Sequence, residues 1–300
     1  MKSMMRIRLK LCRVRRGLRG ERHRARSSVV MSPDTTRVKE ACTTLSASPP
    51  VYLCEDLLSK DVCEKLVFAA EESSLFQRSN VGAGFASTST SGRNGLNARS
   101  ARRTSSTILV DSDTAKLAPE LARVAQEVTS SAQGLFEGVH WMQQGRMPKP
   151  RKFSPEFLQL ARYKEGEEFK LHEDAFPHDI AIARGFQRVA TVLLYLNSVE
   201  TDFGGETKFP ELDLSVHPKQ GSALVFFPSL GVKGIPDART IHAAEPLRNG
   251  GEKWVAQLWI VVGISKSPSS AKKDAGGLSE MMAWQQNSQK RRQRGFGAKR

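Results

Sequence analysis

A series of short apolar segments in the second half of the chain constrains the fold most strongly. From about residue 156 onward, runs of β-branched and aromatic residues alternate with Gly, Pro, Asn and Asp. This texture is typical of short strands joined by turns. The segments are FLQLARY, RVATVLLYLNS, ETKFP, SALVFFPS, TIHAAEPL and KWVAQLWIVVGI. We therefore predict a mainly β core over about 156–266.

Two helical patterns precede the strands. Ser59 is a suitable N-cap for a first helix, and a second helix is expected over 113–131, with Pro119 near its start, where proline is tolerated. The apolar residues at helical spacing are Val62, Cys63, Leu66, Val67 and Ala70 in the first helix and Leu117, Leu121, Val124, Ala125 and Val128 in the second. Helices followed by strands predict an α+β fold, in which N-terminal helices buttress a jelly roll, that is, a double-stranded β-helix.

The basic charge of the chain belongs to its two ends. Of the formal net charge of +15, residues 1–31 contribute +10 and residues 290–300 contribute +6, which leaves about −1 for the rest. A duplex-binding domain is expected to carry a basic folded face. The near-neutral middle therefore gives no reason to expect a nucleic-acid partner.

The composition along the chain predicts three regions. Residues 1–48 are a basic leader or transit segment, expected to be disordered, residues 49–266 form the folded domain, and residues 267–300 are a basic tail that is also expected to be disordered. The leader is rich in Arg and nearly free of acids, which fits a mitochondrial or plastid transit peptide; the alternative is a solvated tail with a nuclear-localisation role. We expect no transmembrane helix, since no apolar run reaches about 18 residues. Gly, Ser, Thr, Asn and Arg over 79–100 predict a surface loop.

Four cysteines, at positions 12, 42, 54 and 63, form no CxxC pair and no zinc spacing. Cys63 fits the apolar face of the first helix and is interpreted as a small core residue. The spacing alone gives no reason to expect a disulfide.

The segment EEFKLHEDAFPHD, residues 167–179, gathers two histidines and five acidic residues. On a strand, His172 and Asp174 would point to the same side. An imidazole nitrogen and a carboxylate oxygen together suit a divalent transition metal, and one further histidine would complete the set that holds non-haem Fe(II). His178 is an alternative ligand, but no pattern supports it.

Downstream, His242 and Lys253 lie eleven residues apart in two consecutive strand patterns. Adjacent antiparallel strands joined by the Gly-rich turn between them would set both side chains on one interior face. An interior lysine is unfavourable unless it meets an anion. The distal carboxylate of a dicarboxylic cosubstrate would supply that anion.

Four segments in this order resemble the catalytic domain of the prolyl 4-hydroxylases, which are Fe(II)/2-oxoglutarate-dependent dioxygenases. They are LQLARYKEGEEFKLHED, QRVATVLLYLNSVETDFGGETKFP, VHPKQGSALVFF and IHAAEPLRNGGEKWVAQLW. The resemblance covers about residues 50–265. It implies His172, Asp174 and His242 as iron ligands and Lys253 as the partner of the 2-oxoglutarate side carboxylate.

The resemblance also implies the surroundings of the metal. Tyr163 and Thr191 would line the cosubstrate pocket. The residues that would contact a peptide are Arg103, Ser105, Arg188 and Trp259. The implied cofactors are Fe(II), 2-oxoglutarate, O2 and L-ascorbate, and the implied partner is a proline-containing peptide or protein. Many family members are secretory, so the endoplasmic reticulum is the alternative location.

Two positions depart from the family pattern. Phe169 stands where the family usually has Tyr, so a hydroxyl near the metal is missing, and Val261 replaces a polar substrate contact of some members. The predicted function is peptidyl-proline hydroxylation coupled to conversion of 2-oxoglutarate to succinate and CO2. The alternatives are a hydroxylase of the same superfamily that acts on another peptide residue, a small molecule or an alkylated base, and a non-catalytic binding module.

Overall fold

A computed structural model describes residues 36–79, 103–136, 141–230 and 234–264, and the statements below refer to these residues. The helices in this part of the chain are α1 (Thr36–Ala41), α2 (Lys60–Ser73), α3 (Ser112–Leu117), α4 (Pro119–Gln133) and α5 (His178–Arg184). Within the same residues, no helix has the length and apolar character needed to cross a membrane.

The strands follow the predicted pattern and add several short ones. They are β1 (Thr43–Ala47), β2 (Pro50–Cys54), β3 (Gln77–Arg78), β4 (Ser106–Leu109), β5 (Phe153–Pro155), β6 (Gln159–Tyr163), β7 (Phe169–His172), β8 (Phe186–Tyr195), β9 (Thr207–Phe209), β10 (Leu214–Val216), β11 (Ala223–Phe226), β12 (Ser229–Leu230), β13 (Ile235–Pro236), β14 (His242–Ala244) and β15 (Lys253–Gly263). Every apolar segment named above as a strand contains one of them.

The strands form two principal antiparallel sheets. The large sheet has nine strands in the order β1-β2-β11-β8-β15-β6-β4-β3, with β5 also paired to β15. The small sheet has the order β10-β9-β14-β7, and β12 pairs with β13 separately. Two antiparallel sheets around an apolar interior, with helices on one side, confirm the predicted jelly roll with N-terminal helices.

Apolar side chains pack on both faces of the large sheet. On one face, α2 and α4 contribute Leu66 and Leu121 to a cluster that includes Trp254 of β15. On the other face, Tyr195 of β8 packs with Phe209 of the small sheet. Because β8 and β15 are covered on both sides, their sequences are almost continuously apolar.

The second predicted helix is divided in two. Ala118 has φ −135° and ψ 73°, which ends α3 before α4 begins at Pro119. The residue before a proline is disfavoured in the α region, because the proline ring crowds it. The single helix predicted over 113–131 is therefore wrong at this point, and Leu117, placed on its core face, is 72% exposed.

The described structure includes residues on the N-terminal side of the predicted boundary at residue 48. Val38 of α1 is fully buried, and β1 pairs with β2. A disulfide joins Cys42 to Cys54, a link that the cysteine spacing did not indicate. Cys63 is free and buried, as predicted. Three predicted regions lie wholly or mostly outside the described residues: residues 1–35 of the leader, the tail 267–300, and the loop 79–100 apart from Ser79. Ser79 is buried.

Candidate active site

His172 and His242 face each other across two strands of the small sheet. They are direct partners in the antiparallel register of β7 and β14. Residues opposite each other in such a pair project from the same face of the sheet. Their ring centroids are accordingly 4.2 Å apart, and the structure brings together two histidines that are 70 positions apart in the sequence.

Asp174 completes a compact group of three metal-ligating side chains. Its carboxylate oxygens lie 3.8 Å from Nε2 of His172 and 3.9 Å from Nε2 of His242. One potential ligand atom from each residue lies within 4.8 Å of the others. Two imidazoles and one carboxylate match the facial set that suits non-haem Fe(II).

The hydrogen bonds of the two histidines use Nδ1 and leave Nε2 of each ring available for a metal. Nδ1 of His172 is 2.8 Å from the carbonyl oxygen of Lys170, and Nδ1 of His242 is 3.0 Å from that of Thr240. A carbonyl oxygen only accepts, so each Nδ1 carries the hydrogen and each Nε2 presents a lone pair. Burial, together with the neighbouring His242, lowers the pKa of His172 to about 3, so this imidazole is neutral. The donor set therefore fits a divalent metal.

Strand β8 holds the segment that carries Asp174. Thr191 donates a 2.7 Å hydrogen bond to Oδ2 of Asp174, and Arg188 lies 3.4 Å from the Asp174 carbonyl oxygen. Burial alone would raise the pKa of Asp174, but His242, His172, Arg188 and the Thr191 hydrogen bond together lower it. The carboxylate is thereby kept ionised for metal binding. Thr191, predicted to line the cosubstrate pocket, contacts the Asp174 carboxylate directly.

An irregularity in the large sheet lets Arg188 and Thr191 reach the same segment. Residues three apart on a regular strand face opposite sides. The pairing of β8 with β15 shifts between Ile260 and Val261, so that Ala190 is opposite Ile260 while Arg188 is opposite Val261. Such a bulge re-aims side chains.

Aromatic rings line the site around the histidines. Phe169 stacks on His172 with centroids 3.5 Å apart and planes 10° apart. The ring centroids of Phe209 and Phe226 lie 5.3 and 4.8 Å from that of His242. We call Phe169, Phe209 and Phe226 the aromatic wall. With Phe169 in place of a tyrosine, an apolar face lies against the His172 ring.

Lys253 is a buried cation without an acidic partner among the described residues. The side chain is 1% exposed, and Nζ donates a 2.6 Å hydrogen bond to the carbonyl oxygen of Gly205. Nζ lies 5.8 and 5.6 Å from the ring centroids of Tyr163 and Tyr195. Burial lowers the pKa of Lys253 to about 7, and the charge of Glu206 only partly opposes this. An anion entering this pocket would restore the ammonium charge.

The sequence-based placement of Lys253 needs one correction. His242 and Lys253 are not on adjacent strands, because β14 belongs to the small sheet and β15 to the large one. Both side chains nevertheless face the apolar layer between the sheets, where Phe209 contacts His242 and Tyr195 contacts Lys253. The metal group and the lysine therefore share one interior.

Arg188 and Trp259 form the next part of the site. Arg188 makes two hydrogen bonds to the buried Glu156, at 2.7 and 2.8 Å, and its guanidinium carbon lies 3.8 Å from the Trp259 ring centroid. Trp259 is opposite Thr191 in the ladder, so it lies on the metal side of the large sheet. Its Nε1 is buried with no hydrogen-bond partner among the described residues, whereas Trp254 packs with the helices. Trp254 and Trp259 therefore lie on opposite faces of the large sheet.

Arg103 and its hydrogen-bond partner Ser105 lie close to Phe169 of β7. Arg103 is 4% exposed, donates hydrogen bonds to Ser105 at 3.0 Å and Gln159 at 2.7 Å, and lies 4.9 Å from the Phe169 ring centroid. The guanidinium is thus held in a fixed position beside the aromatic wall.

His178 begins α5 and does not belong to the metal group.

Sequence reasoning missed several polar residues that support this site, notably Glu156, Gln159 and Gln187. All three are buried; Gln159 begins β6, Gln187 lies in β8 and Glu156 directly follows β5. A polar residue in an otherwise apolar strand pattern is the one sequence signal that could have identified them.

Known proteins share the part of the chain that builds this site. Residues 158–261 match the family model described as the 2OG-Fe(II) oxygenase superfamily. Prolyl 4-hydroxylase 2 of Arabidopsis thaliana is 41% identical over 132 residues, which cover 37% of this chain and 43% of that protein. A putative prolyl 4-hydroxylase of Acanthamoeba polyphaga mimivirus is 38% identical over 110 residues, covering 35% and 44%.

The matched region spans less than half of the length of these curated relatives. Among solved structures, a viral collagen prolyl hydroxylase from Paramecium Bursaria Chlorella virus-1 is 25% identical, with a TM-score of 0.48, and covers 71% of this chain and 96% of that one.

Proposed function

We propose that the chain contains a 2OG-Fe(II) oxygenase domain of the prolyl 4-hydroxylase type and is an Fe(II)- and 2-oxoglutarate-dependent dioxygenase that hydroxylates peptidyl proline. The observation that carries the proposal is the group formed by His172, Asp174 and His242, with the buried cation Lys253 in the same interior. A facial set of metal ligands, in the same interior as a buried lysine that has no acidic hydrogen-bond partner among the described residues, suits a metal chelate that has an anionic tail.

In this proposal, His172, Asp174 and His242 would hold Fe(II). The metal would supply the oxidising chemistry by which 2-oxoglutarate and O2 give succinate and CO2 while a substrate C–H becomes C–OH, with one oxygen atom of O2 entering succinate and the other entering the hydroxyl group. Lys253 pairs with the far carboxylate of 2-oxoglutarate. The aromatic wall excludes water from the ligands, and L-ascorbate is the proposed reductant that sustains repeated turnover.

The proposed substrate is an extended, proline-containing chain. A polyproline II segment has no internal hydrogen bonds, so its carbonyl oxygens are free to accept from a binding groove. Nε1 of Trp259, which has no hydrogen-bond partner among the described residues, is a donor that such a carbonyl oxygen would satisfy. Glu156 holds Arg188 against the Trp259 ring, which fixes the planar surface that a proline ring would contact.

One observation favours a second candidate, a hydroxylase of the same superfamily with a different substrate. The guanidiniums of Arg103 and Arg188 are already bound to Gln159 and Glu156. Phe169 in addition offers no hydroxyl to a peptide. A less polar substrate would suit these features as well.

The decisive experiment measures succinate release from 2-oxoglutarate by the full chain with Fe(II) and ascorbate, with and without a polyproline peptide. Peptide-stimulated succinate and a peptide mass gain of about 16 units, one inserted oxygen atom, are expected. Turnover of 2-oxoglutarate that the peptide does not stimulate, with the peptide mass unchanged, would indicate the second candidate. A folded protein that binds no metal and releases no succinate would overturn the dioxygenase proposal and leave a binding module.

Two histidine variants sharpen this experiment. His172→Ala removes a metal ligand and should abolish metal binding and succinate release together. His178→Ala changes a histidine of the same acidic segment outside the metal group and should retain both. Retained activity in His172→Ala would contradict the ligand assignment.

The disulfide bears on the proposed location. Disulfides persist in oxidising compartments and are rare where thiols are kept reduced. The Cys42–Cys54 bond supports the endoplasmic reticulum over the mitochondrion or plastid suggested by the Arg-rich leader. Microscopy of the tagged full chain would separate these locations.

A further inference from the structure

Gln187 is a fully buried side chain that makes four hydrogen bonds at one point of the fold. Its Oε1 accepts from the backbone N–H of Phe176 at 2.8 Å and of Arg188 at 2.9 Å. Its Nε2 donates to the carbonyl oxygens of Phe176 and Gly234, each at 2.7 Å. Both lone-pair positions of the oxygen and both amide hydrogens are thereby used.

The two bonds to Phe176 imitate a rung of a β-ladder. A backbone neighbour in an antiparallel pair would accept from the Phe176 N–H and donate to its carbonyl oxygen. Here the side-chain amide of Gln187 does both. The chain needs this substitute because β7 ends at His172, so the residues that follow have left the ladder with β14.

The clamped residue lies two positions after the metal carboxylate. Asp174 is held at its side chain by Thr191 and more weakly at its carbonyl oxygen by Arg188. Gln187 fixes the backbone on the C-terminal side, just before α5 begins at His178. On the N-terminal side, the same segment is fixed by the register of His172 with His242.

The opposite end of the clamp is also shaped to fit. Gly234 has φ +58°, and a Cβ there would lie 2.8 Å from both Cβ and Cγ of Gln187. Glycine therefore allows the close approach of the Gly234 backbone to the amide. Gln187 thus connects the Asp174 segment to the strand pair that precedes His242 in the chain.

We propose that Gln187 is a positioning residue for the metal site, which acts by fixing the backbone of Phe176 and hence the carboxylate of Asp174. This inference rests on the metal site of the proposed function. Groups that orient metal ligands from outside the ligand set commonly change metal affinity by 10- to 100-fold when they are removed. We expect a loss of that size without loss of the fold.

The test is a Co(II) titration of the full chain by isothermal calorimetry, with Co(II) as an air-stable substitute for Fe(II). Gln187→Met keeps the length of the side chain and removes all four hydrogen bonds. Gln187→Glu keeps the two accepted bonds and loses both donated ones. We expect the Co(II) Kd to rise by about 10- to 100-fold in both variants. If Gln187→Met does not fold, Gln187→Glu carries the test.

Asn197→Ala is the matched control, because Asn197 is also a side-chain amide that clamps backbone. It accepts from the N–H of Trp254 at 2.7 Å and donates to the carbonyl oxygen of Glu252 at 2.8 Å, just beyond the far end of β8. We expect a lower melting temperature, as in the Gln187 variants, but a Co(II) Kd within about twofold of wild type, since no metal ligand depends on this clamp.

The outcomes separate the inference from the proposed function. Wild-type binding with an unchanged Kd in the folded Gln187 variants would overturn the positioning role alone. An equal rise in Kd in Asn197→Ala would also overturn it, because general destabilisation would then explain both. A folded wild-type protein that binds no Co(II) would overturn the metal site, and with it both the proposed function and this inference.

Discussion

Lys253 combines two properties that rarely occur together in one lysine. It is buried in the layer between the sheets, and its one hydrogen bond within the described part of the chain is to a neutral carbonyl group, that of Gly205. Burial disfavours the ammonium form, which is why the pKa of Lys253 falls to about 7. The charge of this side chain near neutral pH therefore depends on whether an anion is bound beside it.

The affinity for 2-oxoglutarate should consequently fall as the pH rises above 7. The carboxylate pairs with the protonated amine, and the protonated fraction of free Lys253 decreases about tenfold per pH unit above its pKa. We expect the Kd of 2-oxoglutarate for the Co(II)-loaded protein to rise by about tenfold between pH 7.5 and 8.5. Calorimetry in buffers of different ionisation enthalpy would also detect the proton taken up on binding.

Two lysine variants test the assignment of this pH dependence. Lys253→Met should bind 2-oxoglutarate weakly and with no pH dependence over the same range. Lys219→Met changes a surface lysine paired with Glu55 and should behave as wild type. A wild-type Kd that is constant from pH 7.5 to 8.5 would show that another cation holds the cosubstrate.

The hairpin of β1 and β2 is held together by a disulfide as well as by the pairing of its strands. Thr43 pairs with Leu53, so the adjacent Cys42 and Cys54 are brought opposite each other, with Cα atoms 4.2 Å apart. β2 in turn pairs with β11 of the large sheet. The disulfide therefore ties the N-terminal end of the described chain to the domain core.

Loss of this disulfide should destabilise the domain. A cross-link that closes a loop of this size stabilises a protein by about 3 kcal/mol, mainly by restricting the unfolded chain. Cys42→Ser should lower the free energy of unfolding in urea by a similar amount and make it insensitive to reductant. Cys63→Ala is the control, since Cys63 is free and its variant should still lose stability when reductant is added. Equal stability of Cys42→Ser and wild type without reductant would contradict this role.

The elements that could be predicted are those that depend on a local sequence pattern. Strands β8 and β15 were evident because burial on both faces leaves a continuous apolar run. The Cys42–Cys54 link depends on hairpin register, which the cysteine spacing does not encode. The break before Pro119 had a local signal, the proline itself, which was interpreted as compatible with one continuous helix.

The candidate site divides in the same way. His172, Asp174, His242 and Lys253 belong to a motif whose order and spacing are visible in the sequence. The support that Gln187 gives to this group depends on where β7 leaves its ladder. That is a tertiary feature with no counterpart in residue spacing.

The site as a whole joins the two sheets of the molecule. His172 and His242 come from the small sheet, whereas Lys253 and Thr191 come from the large sheet. A metal chelate that is bound at both places would connect the sheets across the apolar layer. Ligands that bind only the folded state stabilise it by an amount set by their concentration relative to Kd.

Metal binding should therefore raise the melting temperature of the entire domain. At a free metal concentration of 100 times Kd, the gain is about 2.7 kcal/mol, which for a domain of this size corresponds to roughly 5–10 °C. Differential scanning calorimetry with Co(II) should show this shift and its reversal by a chelator. Adding 2-oxoglutarate should increase it further in wild type but little in Lys253→Met. His172→Ala should show no shift, whereas His178→Ala should retain it. A shift that survives in His172→Ala would mean that the metal binds elsewhere on the chain.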